Sequence, residues 1–130
     1  MKKGYSLLEL IIVISIIGIF FAFVSINFGN FETKAEFKAI TKTIVSDLRL
    51  CQQNAISQKE SCDTIFEKDY YIINNKKKHL PSLINIKNPK TIRFSSSGNP
   101  QPGYFGTIIL ESKNQSIKII VSAIGRIRVE

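Results

Sequence analysis

Residues 1–24 read MKKGYSLLELIIVISIIGIFFAFV, and this stretch decides the architecture. Behind Lys2 and Lys3, positions Leu7 to Val24 are almost wholly Leu, Ile, Val and Phe. A helix needs roughly 20 such residues, at ~1.5 Å rise each, to cross the hydrocarbon core of a bilayer. Cleavable secretory signals have a shorter apolar core followed by a small-x-small site. Ser25-Ile26-Asn27 is a poor substitute for that site. The reading is therefore a single-pass anchor with Lys2 and Lys3 on the cytoplasmic side.

Glu9 breaks the apolar run. A carboxylate inside a membrane helix costs a few kcal/mol even on lenient insertion scales, and such groups are retained when they find a partner. Solvation at headgroup level is the competing account of Glu9. Its neighbours favour the first. Gly4-Tyr5-Ser6-Leu7-Leu8-Glu9 resembles the type III signal of type IV pilins and type II secretion pseudopilins. The resemblance implies that a prepilin peptidase cuts between Gly4 and Tyr5 and methylates the new amine. Tyr5 and Ser6 stand where the family usually has Phe and Thr. The resemblance further implies that Glu9 pairs with the N-terminal amine of a neighbouring subunit, which sets the register between helices much as a buried polar group does in a coiled coil. Other pilin or pseudopilin subunits, an inner-membrane assembly platform and membrane lipid are the implied partners.

Beyond Phe31 the pattern turns amphipathic. Phe37, Ile40, Ile44, Leu48, Cys51 and Ala55 recur at three- and four-residue spacing and share one helical face. Lys38, Thr41, Lys42, Asp47, Arg49 and Gln52 fall elsewhere. No proline lies between Met1 and Leu80, so one long helix is compatible with the sequence; Gly29-Asn30 offers a place for a bend. From about Asp63 the chain reads as strands and turns. Thr64-Ile65-Phe66, Tyr70 to Ile73, Thr91 to Ser95, Gly106 to Leu110 and Ile117 to Val121 are strand-like, and Ile127 and Val129 suit a last short strand. The last two long runs read as a hairpin closed at Lys113-Asn114-Gln115. Asn74-Asn75 and the lysines after it read as an exposed turn, and Ser95 to Gly103 as a loop.

The expected fold is α+β: a long N-terminal helix, half membrane-embedded and half amphipathic, packed on a small antiparallel β-rich head. Its divisions are a leader over 1–4, the assembly half of the helix over 5–28, the amphipathic half over 29–58 and the head over 59–130. The order of elements in the last third, ending Gly125-Arg126-Ile127-Arg128, narrows the resemblance to the GspH/FimT branch of minor pseudopilins and minor pili subunits. That branch implies a small β-sandwich-like head, export of the head from the cytoplasm, and a place at or near a filament tip. It leaves two roles open. One is an assembly subunit of a secretion pseudopilus. The other is a minor pilin of DNA uptake, in which Arg126 and Arg128 contact phosphates from one face of a strand. The plainer account of these arginines is a solvated edge strand. A single-pass protein unrelated to pili requires that Gly4-Tyr5 is never cut.

Cys51 and Cys62 are a candidate disulfide, since an exported head meets oxidising conditions. Cys51 also lies on the apolar stripe, where free thiols are common. Catalysis is not expected: His79 is the sole histidine, two Cys and one His are poorly spaced for zinc, and Gly98, Gly103 and Gly106 do not form a phosphate loop. No metal or cofactor is expected either. The net charge of +8, which loses Lys2 and Lys3 on cleavage, suits an anionic partner. The segment with Lys76, Lys77, Lys78, His79, Lys87 and Lys90 reads as solvated charge.

Overall fold

The computed structural model describes residues 6–25, 28–113 and 115–130, together with the side chains of these residues other than 25 and 28–31. The chain divides after Glu36 into two units, which are described separately.

The first unit holds helix α1, Leu7–Ser25. Ser6 precedes it as the cap, its carbonyl accepting from the amides of Glu9 (2.9 Å) and Leu10 (3.2 Å). Glu9 thus falls in the first turn, where the positive end of the helix dipole favours a carboxylate. The window Leu7–Val24 has a mean hydropathy of 2.9, and none of it is buried within the protein. Ile and Val are indifferent helix formers in water. In hydrocarbon the helix is nevertheless the one local structure that satisfies every backbone group.

Helix α2, Phe28–Gln58, begins in this unit and continues into the second. Gly29 and Asn30 are both helical, so from Phe28 onward the helix is not interrupted at the place where Gly29-Asn30 allows a bend. Phe37, Thr41, Ile44, Leu48, Cys51 and Ala55 are buried along one stripe. Ile40 is only partly buried, while Thr41 takes an inward place. The Thr41 hydroxyl is satisfied by donating to the Phe37 carbonyl at 2.9 Å. α2 ends where Lys59 turns left-handed, at φ 55°.

Among the described residues eight strands follow: β1 Cys62–Phe66, β2 Tyr70–Ile73, β3 Lys76–His79, β4 Asn85–Ile86, β5 Lys90–Phe94, β6 Gly106–Ser112, β7 Gln115–Val121 and β8 Ile127–Val129. They form two four-stranded sheets, ordered β3-β2-β1-β5 and β4-β6-β7-β8. Every pairing is antiparallel. The core takes Phe66, Tyr71, Ile73, Ile92 and Phe94 from the first sheet and Ile86, Ile108, Leu110, Ile119 and Val121 from the second, and the α2 stripe belongs to the same cluster. This is the expected pilin-like α+β architecture. The β6–β7 hairpin forms as the sequence suggests, pairing Ser112 with Gln115; Asn114 lies outside the described residues.

Two strands depart from the sequence reading. Lys76–His79 is β3 rather than loop, because Asn74 (φ 49°) and Asn75 (φ 60°) make a two-residue turn with both residues left-handed. That geometry matches strand twist and folds the lysines back onto β2 despite their low strand propensity. β4 is two residues long and carries too little pattern to be read from sequence.

Candidate functional site

Two places carry the candidate functional residues. The first is the start of α1. Gly4 and Tyr5, the expected cleavage and methylation positions, lie outside the described residues. Glu9 is exposed on a helix whose flanking side chains Leu8, Leu10, Ile12 and Val13 are all apolar and exposed. Among the described residues it has no ion-pair partner. A lone carboxylate on an apolar cylinder calls for a cation from outside once water is excluded.

The second place is the C-terminal edge of the head. A turn over Ser122–Gly125 launches β8: the Gly125 amide donates to the Ser122 carbonyl (2.9 Å) and the Ser122 amide to the Arg126 carbonyl (2.9 Å). The Arg126 amide donates to the Ser122 hydroxyl at 3.1 Å. Gly125 is left-handed, at φ 77°, and buried. A Cβ there would stand 2.7 Å from both Gln52 Nε2 and the Gly98 oxygen, so glycine is required on two counts. Gln52 reaches across from α2, its Nε2 donating to the carbonyls of Gly98 (2.8 Å) and Gly125 (3.0 Å). One side-chain amide therefore holds the Ser95–Asn99 loop and the C-terminal turn together. Sequence reading placed Gln52 on the polar side of α2, and no spacing signal distinguishes it from a solvated glutamine.

β8 pairs with β7 through Val121↔Ile127, Ile120↔Arg128 and Ile119↔Val129. Ile127 packs against the core, so Arg126 and Arg128 share the opposite face. Both are exposed, and among the described residues neither pairs with a carboxylate.

The basic middle segment is dispersed among local partners. Lys78 joins Asp47 at 2.7 Å, and the Tyr71 hydroxyl donates to the same carboxylate at 2.6 Å. Burial, and then the Asp47 bond, push the Tyr71 phenol well above its ordinary range. Lys77 sits 3.6 Å over the Tyr70 ring, and Lys87 pairs with Glu111 at 2.7 Å. Arg93 grips Asp63 with two bonds (2.7 and 2.6 Å) and lies 4.6 Å over Tyr104. The Asp63 bonds raise its already high pKa. Lys76, Lys77 and His79 are exposed, the His79 ring standing 5.9 Å from that of Tyr70.

Cys51 and Cys62 are bridged, with an S–S distance of 2.02 Å and Cα atoms 5.6 Å apart, fastening α2 to β1. Among the described residues no cluster of His, Cys, Asp and Glu is suited to a metal ion.

No curated protein and no solved structure matches the chain. A family model does: residues 1–25, ending with α1, match the prokaryotic N-terminal methylation motif, so this pilin-like fold carries a type IV prepilin signal.

Proposed function

We propose that the chain is a minor subunit of a type IV pilin-like filament, cut between Gly4 and Tyr5, methylated at Tyr5 and assembled through α1. The observation that carries this reading is Glu9 in an exposed apolar helix, inside the matched methylation motif. Cleavage creates the amine that a neighbouring subunit offers to Glu9. At ~4 Å and an effective dielectric of ~20, two such charges attract by about 4 kcal/mol, and more weakly once water returns. The pairing selects one axial register, while the apolar flanks of α1 pack against other subunits. Prepilin peptidase, fellow subunits, the inner-membrane platform and lipid are the partners. The Cys51–Cys62 bridge supports a head exported beyond the reducing cytoplasm, with a single pass through the inner membrane. Within the superfamily, the GspH-like role in a type II secretion pseudopilus, at or near the tip, is the reading adopted. Intact-mass analysis of membrane-extracted protein is the test. A chain beginning at methylated Tyr5 is expected, and retention of Met1–Gly4 refutes the proposal.

A second reading, a FimT-like role in DNA uptake, rests on the exposed Arg126 and Arg128. Two guanidiniums on one strand face suit phosphate oxygens. The detergent-solubilised full chain, with and without Arg126→Ala and Arg128→Ala, separates the two roles. Arginine-dependent DNA binding that weakens with salt supports uptake, and absence of binding at low salt leaves secretion.

A further inference from the structure

The two sheets present four edges, and three of them are closed or blunted. β5 is covered by the segment after Pro100: the Gln101 amide donates to the Arg93 carbonyl at 2.9 Å, and the Arg93 amide to the Tyr104 carbonyl at 3.2 Å. β4 is two residues long, and its outward Ile86 amide donates to the Lys68 carbonyl at 2.9 Å. β3 is a run of three lysines and a histidine, the kind of edge that discourages strand addition.

β8 differs. The Lys118 amide donates to the Glu130 carbonyl at 2.7 Å, and the Glu130 amide to the Lys118 carbonyl at 2.8 Å, which fixes the phase of the β7–β8 ladder. Alternation in an antiparallel ladder then turns Arg128 inward to Ile120 and leaves the N–H and C=O of Ile127 and Val129 facing away from β7. Val129 is 48% exposed although it lies on the core side of the sheet, and Ile124, at the turn before β8, is 72% exposed. The opposite face carries Arg126, Arg128 and Glu130, a surplus of positive charge, and among the described residues neither arginine pairs with a carboxylate. The head is also cationic. Of the 18 Lys and Arg only Lys2, Lys3 and Lys34 precede Phe37, and of the 10 Asp and Glu only Glu9, Glu32 and Glu36, so the whole surplus of +8 lies from Phe37 onward.

We propose that β8 is a docking edge for an extended acidic segment of a partner polypeptide, which adds a fifth strand to the second sheet. The backbone of Ile127 and Val129 supplies the ladder. Alternate apolar side chains of the guest cover Val129 and reach toward Ile124. Its carboxylates, on the other face, stand across from Arg126 and Arg128 at the spacing of cross-strand pairs. This goes beyond the arginine–phosphate contact, which needs side chains only. Strand addition needs the outward amides as well, and that requirement separates the two.

The probe is a synthetic peptide alternating valine and glutamate, added to the detergent-solubilised full chain. Amide hydrogen exchange and binding are measured together. In the free protein the Arg128 and Glu130 amides exchange slowly and those of Ile127 and Val129 quickly; bound peptide slows the latter pair. Val129→Pro removes one outward donor and leaves the β7 ladder intact, since proline is tolerated on an edge whose N–H faces solvent. It is expected to weaken peptide binding by about tenfold or more, as is the exposed-face double change Arg126→Glu, Arg128→Glu. The double change decides the matter should Val129→Pro unfold β8. The proposal is overturned if the peptide leaves the Ile127 and Val129 amides unprotected, or if a folded Val129→Pro protein binds it as tightly as the parent. It is equally overturned if a single-stranded DNA oligonucleotide binds through the arginines while the peptide does not.

Discussion

Replacing Gln52 tests the junction behind the C-terminal edge most directly. Its Nε2 donates to two carbonyls, those of Gly98 and Gly125, in a partly buried setting. Each such bond contributes about 1 kcal/mol net, and an acceptor left without a donor adds its own desolvation cost. Gln52→Ala should therefore lower head stability by about 2–3 kcal/mol, a fall in Tm of roughly 10–20 °C for a domain of this size. Gln52→Glu is more informative, because it keeps the shape and sets a carboxylate against two carbonyl oxygens. At neutral pH it should destabilise more than alanine. On acidification the introduced carboxyl regains a proton to donate, so the gap to the parent protein should narrow. Urea unfolding followed by circular dichroism, at neutral and mildly acidic pH, measures both effects. A loss of less than ~0.5 kcal/mol for Gln52→Ala, or a Gln52→Glu protein that tracks the parent at every pH, refutes the reasoning.

Three further outcomes follow from the geometry. Reducing the Cys51–Cys62 bridge, whose cysteines are 11 residues apart, should cost about 3 kcal/mol, read as a lower urea midpoint with reductant present. Because the Tyr71 phenol is raised in the folded head, its contribution is fully present below the ordinary tyrosine pKa of ~10 and is lost as pH climbs above it. Tyr71→Phe should therefore show a shallower alkaline decline in stability than the parent, and equal slopes above pH ~10 would contradict the assignment. Glu9→Leu should still insert into the membrane yet be excluded from filaments, scored by membrane fractionation and by subunit content of sheared filaments; normal incorporation would remove the pairing role.

The elements governed by one-dimensional pattern were legible. The apolar run of α1 and the three-four spacing of Phe37, Ile44, Leu48, Cys51 and Ala55 are properties of a helix whatever it packs against. Long strands such as Ile117–Val121 announce themselves by side-chain type. β3 was not legible, because its lysines argue against a strand and the Asn74-Asn75 backbone overrides them. Thr41 looked polar and proved buried, its hydroxyl paid off locally by the Phe37 carbonyl. At the candidate sites, Glu9 could be singled out as a carboxylate in an apolar run, and Arg126 and Arg128 by the family resemblance of the Gly-Arg-x-Arg ending. Gln52 could not, since its role comes from two carbonyls 46 and 73 residues further along the chain.

That distance has a kinetic consequence. The β2–β3 and β6–β7 hairpins pair residues close in sequence, Ile73 with Lys76 and Ser112 with Gln115, and need little chain entropy to form. The Gln52 junction must close segments of 46 and 73 residues before it returns any binding energy. It therefore belongs to the last steps of folding, after α2 and both hairpins are in place. β8 is thus presented only by a finished head, and a partly folded chain has no such edge to offer.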